Sequence, residues 1–384
     1  MVALARDGVR AVTRPASLYL HLPFCASTCA YCSFVTTTER GLLSRYMDAL
    51  RWEVAEVGRR GPRPLRTLYL GGGTPSLVPA SELAALFAVL DRFFPRQPGA
   101  EVTLEANPDD VTPELTVSWR ELGVTRVSLG VQSFSDRVLR FLSRRHTPQQ
   151  AKVALERLLD AGFVVSCDLM LGLPGLAKGD LAETLELLVR FSPHHVSVYM
   201  LEMDKPHRLA QLARRRRDLF PSDEDAAQQY LFTARFLRRA GYRHYEVSNW
   251  ARPGYLARHN LRYWRGGVVL ACGVGAYGQG RRSRWANTEH LGEYLSLVEA
   301  GKLPRAFRNQ LTPDEALAER VMLGLRLARG VRWEQVAALG ASRKAFGQRL
   351  EDFLAAGLAA RQGERIRLLP RGWLVSNELF ETLV

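Results

Sequence analysis

Between residues 17 and 201 the chain alternates two apolar patterns. Short runs rich in aliphatic and β-branched residues fall at 17–22, 67–71, 101–106, 125–131, 163–171 and 195–201, the length and texture of buried strands. Between them, apolar positions recur at helical spacing over about 40–58, 79–94, 113–122, 135–160 and 180–190, with a break near Pro148. In the second of these, Leu83, Leu86, Phe87 and Leu90 share one helical face. Pro113 opens the third and Gly123 closes it. Strands that alternate with helices predict parallel β/α units, and six of them suit an α/β fold built as a partial (β/α)6 barrel. In such folds chemistry gathers at the C-terminal ends of the strands.

After 201 the pattern changes. A helix is expected near 223–240, a strand near 243–248, then the motif HNLRYW at 259–264 and a glycine-rich stretch, 266–280. This part is read as an extension that covers the barrel mouth. From about 308 the pattern is helical at 314–329, 332–339 and 342–357, followed by a β-like pair within 358–369 and a last helix. Three helices and a wing resemble a small winged-helix module. The expected division is a leader at 1–16, a barrel at 17–201, the extension at 202–307 and a C-terminal winged-helix-like domain at 308–384.

Composition narrows the function classes. At 384 residues and 47% apolar content, a large domain and a small one can both bury a core. No run of eighteen apolar residues crosses a membrane, and the first seventeen residues are too polar for a secretory signal. Five cysteines, three of them clustered, do not form a disulfide framework, and the cytoplasm is the expected compartment. The net charge of +14 comes mostly from arginine and is read as a solvated basic surface. Its densest run, Arg214 to Arg217, lacks interleaved aromatics, so no nucleic-acid partner is expected.

Chemistry concentrates in a loop just past the first strand. Cys25, Cys29 and Cys32 stand at C-x3-C-x2-C after the strand-ending Pro23. Three thiolates in eight residues can hold one metal centre. A structural zinc wants a fourth ligand, and Cys167 and Cys272 are far away and read as core thiols. A four-iron cluster can be held by three thiolates with one iron left open. A zinc loop is the alternative. GGGTP at 71–75 follows the second strand, and its glycines would let backbone approach a ligand closely. Glu105, Gln132, Arg144 and Asp168 lie at or near later strand ends. Taken singly, each reads equally as a capping or ion-pair residue. The G-x-G-x-x-G at 273–278 is not followed by a helix and is read as close packing under the mouth, not as a dinucleotide loop.

In this order the motifs resemble those of radical SAM enzymes. LYLHLPFC, YLGGGTPS, LEANPDD, SLGVQSF and DLMLGLPG are similar, more narrowly, to the oxygen-independent coproporphyrinogen III oxidase family, from about Leu18 to near the C-terminus. The resemblance implies a 4Fe-4S cluster on the three cysteines and S-adenosyl-L-methionine on Tyr19, Tyr31, Gly72, Gly73, Thr74, Glu105, Gln132, Arg144 and Asp168. It also implies an electron donor such as flavodoxin and reductive cleavage of the sulfonium to methionine and a 5′-deoxyadenosyl radical. One position departs. Where the oxidases proper carry a further cysteine two residues after the third, this chain has Phe34. That loop and HNLRYW resemble the heme-chaperone branch, HemW. This branch implies heme as ligand, with His259 as an axial ligand and Tyr263 and Trp264 against the ring. It further implies that Arg258, Arg262 and Arg265 meet the propionates, and that an acceptor hemoprotein, which could be membrane-associated, receives the heme. His259 by itself reads equally as a buried or turn histidine. The alternative function is a coproporphyrinogen III dehydrogenase that oxidises two propionates to vinyls, so whether the chain is an enzyme stays open.

Overall fold

The computed structural model describes residues 16–61 and 63–383. Apart from Ala16, the expected leader lies outside them. Six β/α units open the chain: β1 Ala16–Leu22, α1 Leu43–Arg59, β2 Leu65–Gly72, α2 Ala80–Phe93, β3 Arg96–Ala106, α3 Pro113–Glu121, β4 Arg126–Gln132, α4 Asp136–Phe141, α5 Pro148–Asp160, β5 Val164–Leu171, α6 Lys178–Phe191 and β6 His195–Met200. The six strands pair in parallel and in sequence order. They are buried along most of their length, as a sheet covered by helices requires. On β1, Leu18, Leu20 and Leu22 point to the helices, while Ser17, Tyr19 and His21 take the opposite, inner face. Local signals set the helix starts. Thr112 accepts from the Leu115 amide at 3.2 Å with Pro113 at the first position, and Thr147 and Gln150 form a capping box at α5.

The chain continues with α7 Arg208–Arg215, α8 Asp223–Arg239, β7 Arg243–Glu246, β8 Asn249–Ala251, α9 Arg258–Trp264, β9 Val269–Cys272, β10 Tyr277–Gln279, β11 Ser283–Asn287, α10 Leu291–Glu299 and β12 Arg305–Gln310. These strands widen the same sheet at both edges. Among the described residues it has twelve strands in the order β12-β11-β10-β9-β1-β2-β3-β4-β5-β6-β8-β7, with β9 parallel to β1 and β8 antiparallel to β6. Its two end strands do not pair, so the barrel stays open.

A buried carboxylate locks this widening in place. Glu53 on α1 is 0% exposed and accepts from the Gly273 amide, the Asn287 amide group and the Tyr294 hydroxyl, each at 2.8 Å. Burial raises its pKa, and Arg305, 3.9 Å away, opposes that shift. Gly273 has φ +104°, and a Cβ there would lie 2.6 Å from the His21 carbonyl oxygen. The glycine run thus serves close packing between β9 and β10, as its sequence context predicts.

The C-terminal part comprises α11 Pro313–Leu325, β13 Val331–Arg332, α12 Trp333–Ser342, α13 Lys344–Ala355, β14 Ala359–Gln362, β15 Arg365–Leu368, α14 Pro370–Leu374 and α15 Ser376–Phe380. The expected wing is present as β14 and β15. β13, too short to read in the sequence, pairs with β15 and completes a three-stranded winged-helix sheet. Within this part, Trp373 ties α14 to α11 by donating from Nε1 to the Leu325 carbonyl at 2.9 Å.

Candidate functional site

At the C-terminal ends of the parallel strands lies a cavity of about 720 Å3. The loop after β1 forms one wall, and backbone bonds fix its base. Cys25 N donates to Thr37 O at 2.9 Å, Gly73 N to Leu22 O and Thr74 N to Phe24 O, both at 2.8 Å. Its tip is held from outside the barrel. Ala30 N donates to Leu142 O at 3.1 Å, and Leu209 N, at the start of α7, to Ala30 O at 2.9 Å. This holds Cys25, Cys29 and Cys32 at the cavity wall, all partly exposed and unpaired. Burial raises the Cys25 thiol to about 11 and pushes Cys32 up as well, so a bound cation would have to draw the protons off.

Arg144 braces this loop from below. Its Nη1 donates to Cys29 Sγ and the Tyr31 hydroxyl, both at 3.4 Å, and its Nη2 to Asn107 Oδ1 at 2.5 Å and Gly130 O at 2.8 Å. Thr74 donates to Cys25 Sγ at 3.5 Å and receives from the Asn107 amide group at 3.3 Å. Behind the thiols runs the glycine strip. A Cβ at Gly73 would sit 2.5 Å from the Pro23 carbonyl carbon, and one at Gly72, where φ is +111°, 2.5 Å from the His21 ring. No side chain fits there, so the strip presents bare backbone to the cavity.

Two carboxylates face it. Glu105 accepts from the Tyr69 hydroxyl at 2.6 Å and the Gly72 amide at 3.1 Å. Burial pushes its pKa up to about 7, with the Asp168 charge adding and the Tyr69 and Gly72 bonds opposing. Asp168 is raised by burial too, and accepts from Ser128 at 2.9 Å and Ser166 at 3.0 Å. Gln132 lies where the β4–β5 register shifts, with φ +65°. A non-glycine residue pays for that conformation, and such strain concentrates at ligand sites.

The cysteines and eight of the nine residues expected around S-adenosyl-L-methionine therefore line one chamber. Tyr19 does not. It stands level with Tyr69 on the neighbouring strand, bonds to His21 Nδ1 at 3.1 Å and packs 6.0 Å from the Tyr69 ring. Missed in the sequence were Tyr69, Asn107, Ser128 and Tyr199, which also line the chamber. Tyr69 had a signal, because it precedes the first glycine by two and so shares its face. Arg326, Trp373 and Asn377 close the wall from the C-terminal part and had none.

HNLRYW lies at the other end of the barrel, not over the mouth as expected. It forms α9, whose first amides bond to Glu101 near the start of β3: Arg258 N at 3.0 Å and His259 N at 2.8 Å. His259 is 2% exposed, shares a 2.8 Å bond with Thr67 through Nδ1, and packs 5.1 Å from the Tyr69 ring and 5.5 Å from Tyr263. Burial holds it neutral, at about 3. Its Nε2 has no partner among the described residues. Arg326 stacks over Trp264 at 5.5 Å.

The donor set fits an iron–sulfur cluster with a chelating ligand. Three thiols stand beside a strip that no Cβ can enter, with two carboxylates opposite. Comparison with known proteins agrees. Residues 19–188 match the radical SAM superfamily and 311–375 the HemN C-terminal domain. Over 97% of its length the chain is 38% identical to the Mycobacterium tuberculosis protein named heme chaperone HemW, covering 95% of that protein. It is 33% identical over 96% of its length to the Escherichia coli protein of the same name, covering 97% of it. Its fold matches the solved Escherichia coli coproporphyrinogen III oxidase, HemN, with a TM-score of 0.85 over 98% of this chain and 91% of that one, at 23% identity. No helix among the described residues is long and apolar enough to cross a membrane. The chain belongs to the HemW family of radical SAM proteins.

Proposed function

We propose that this chain is a heme chaperone that carries a 4Fe-4S cluster and S-adenosyl-L-methionine at the barrel mouth, binds heme and passes it to an acceptor hemoprotein. One observation carries the choice over the oxidase reading. Phe34 stands two residues after Cys32 where a fourth thiol would be, lines the chamber and is 70% exposed. The family relationship supports the same reading.

Cys25, Cys29 and Cys32 would hold the cluster, with one iron left for the amine and carboxylate of S-adenosyl-L-methionine. When bound, that pair supplies one-electron cleavage of the sulfonium. The chain's own residues position and shield it. Arg144 fixes the loop through Cys29 and Tyr31, and the glycine strip admits the ligand to backbone distance. Glu105 and Asp168 are aimed into the chamber by Tyr69, Ser128 and Ser166 and can accept from hydroxyl or amine donors. His259 is buried with Nε2 unbonded, so for that nitrogen to ligate heme iron α9 must shift enough to expose the ring, while its Nδ1 bond to Thr67 can stay. Tyr263 and Trp264 would move with it.

The test is anaerobic and uses the cluster-reconstituted protein. One sample receives hemin and is followed for a Soret shift, alongside a His259→Ala variant. The other receives S-adenosyl-L-methionine, reductant and coproporphyrinogen III and is followed for vinyl product. Stoichiometric hemin binding without vinyl product is expected. Vinyl product without hemin binding would overturn the reading.

A further inference from the structure

Behind Asp168, which lines the mouth chamber, a row of polar side chains crosses the barrel to α9 at its floor, the N-terminal end of the strands. Ser166 stands opposite His195 in the β5–β6 register, and Asp168 opposite Ser197. Ser166 donates to Asp168 Oδ1 at 3.0 Å and meets His195 Nδ1 at 2.8 Å. His195 Nε2 meets the Tyr245 hydroxyl at 2.8 Å, and that oxygen accepts from the Ala257 amide at 3.3 Å. Ala257 caps the start of α9. Tyr245 reaches the row because the β7–β8 register shifts between His244 and Glu246, and such a bulge re-aims a side chain.

The two ends give the row a direction. A backbone amide only donates and a carboxylate only accepts. The Ser166 hydroxyl hydrogen goes to Asp168, so its oxygen must accept from His195, which therefore carries hydrogen on Nδ1. Burial, then the Arg126 charge, holds the imidazole well below its ordinary value, so it is neutral and has a single N–H. Nε2 is then the acceptor and Tyr245 the donor. Every bond in the row points from α9 toward Asp168. Ser166 and His195 are each 1% exposed, so water does not readily replace a broken link, and the bonds polarise one another.

Mutual satisfaction of buried polar groups requires no particular ends. Ser166 could turn its hydrogen to Ser197, 3.3 Å away, instead. This row ends on a carboxylate that lines the chamber and on the helix that carries His259.

We propose that Ser166, His195 and Tyr245 are positioning residues that aim Asp168 at a ligand hydroxyl or amine and tie that aim to the seat of α9. This rests on the reading that S-adenosyl-L-methionine occupies the mouth. By linkage, a ligand held by Asp168 steadies α9, and a shift of α9 loosens the ligand.

The experiment uses the full-length, cluster-reconstituted protein. Calorimetry gives its affinity for S-adenosyl-L-methionine, and amide hydrogen exchange over 257–263 is followed with and without that ligand. His195→Asn keeps an N–H toward Ser166 but does not reach Tyr245. His195→Gln does the reverse, and Tyr245→Phe removes only the hydroxyl. Iron content and circular dichroism identify the folded variants. His195→Gln is expected to weaken S-adenosyl-L-methionine binding about fivefold or more, while His195→Asn stays within about twofold of the wild type. The ligand is expected to slow exchange in α9 several-fold in the wild type, and to lose that effect in Tyr245→Phe and His195→Asn. Nitrogen NMR of histidine-labelled wild type needs no variant to fold, and should show the His195 hydrogen on Nδ1. Equal affinity across the folded variants, a hydrogen on Nε2, or an effect on α9 that survives Tyr245→Phe would overturn the proposal and leave the reading of the mouth standing. A wild type that binds no S-adenosyl-L-methionine would overturn both.

Discussion

At the mouth, Cys25, Cys29 and Cys32 share a chamber with Glu105 and Asp168; at the floor, Arg66, Arg262 and Arg265 share a cavity with no acid between them. The same inner strand face serves both ends. Tyr69 and Thr67, two residues apart on β2, belong to the two regions in turn. The mouth is built by loops after the strands, where glycines bring backbone to the surface and the thiols follow a proline. The floor is built by one short helix laid under the strands and held by Glu101. The length of the barrel therefore keeps the acidic and thiol groups of the mouth apart from the guanidiniums of the floor.

The largest expected effect separates the two ends outright. Cys29→Ala should abolish the cluster, read as loss of the iron–sulfur absorbance and of protein-bound iron. Hemin affinity in the same protein should stay within about twofold, since the floor makes no contact with the thiols. A parallel loss of hemin binding would join the two sites.

The next effect concerns pH at the mouth. Folding raises the Glu105 carboxyl from 4.5 to about 7, so the folded state holds a proton that the unfolded state has released. The cost of burying it is absent below about 4.5 and grows as pH rises through about 7, to about 3 kcal/mol. Glu105→Gln removes that slope. Denaturant midpoints from pH 4.5 to 8 should show the variant gaining on the wild type as pH rises, and parallel curves would remove Glu105 as the source.

Gly73→Ala drives a Cβ into the Pro23 carbonyl and should cost about 1–3 kcal/mol of stability, with weaker S-adenosyl-L-methionine binding by calorimetry. Gly41→Ala, which meets no atom within 4 Å and, like Gly73, has no left-handed φ, serves as its control. The smallest effect lies between the two ends. Thr67→Val removes the bond to His259 Nδ1 and leaves both ring nitrogens unpaired, at a cost of about 1–2 kcal/mol by chemical denaturation. Cluster content should not change.

Much of this was legible beforehand, and for physical reasons. Strand alternation and helix spacing are short-range signals, so the six β/α units start and stop within a few residues of their expected limits, β3 excepted. β3 begins at Arg96 because its partner strand starts at Leu65, a register no local pattern carries. The residues around the thiols were legible because strand ends converge. Glu53 was silent: a glutamate on an amphipathic helix reads as solvated until Gly273, Asn287 and Tyr294, over two hundred residues away, supply its bonds.

The sequence by itself determined the β/α alternation, the three-thiol loop, the glycine strip and the absence of a fourth thiol at Phe34. Each is set by residues close together in the chain. Only the tertiary structure decided which end of the barrel HNLRYW occupies, that Arg66 joins Arg262 and Arg265 in one cavity, and that Trp373 and Arg326 complete the mouth. Those contacts join segments far apart in sequence. Their position depends on how the sheet widens past β1 and β6, and no local periodicity encodes it.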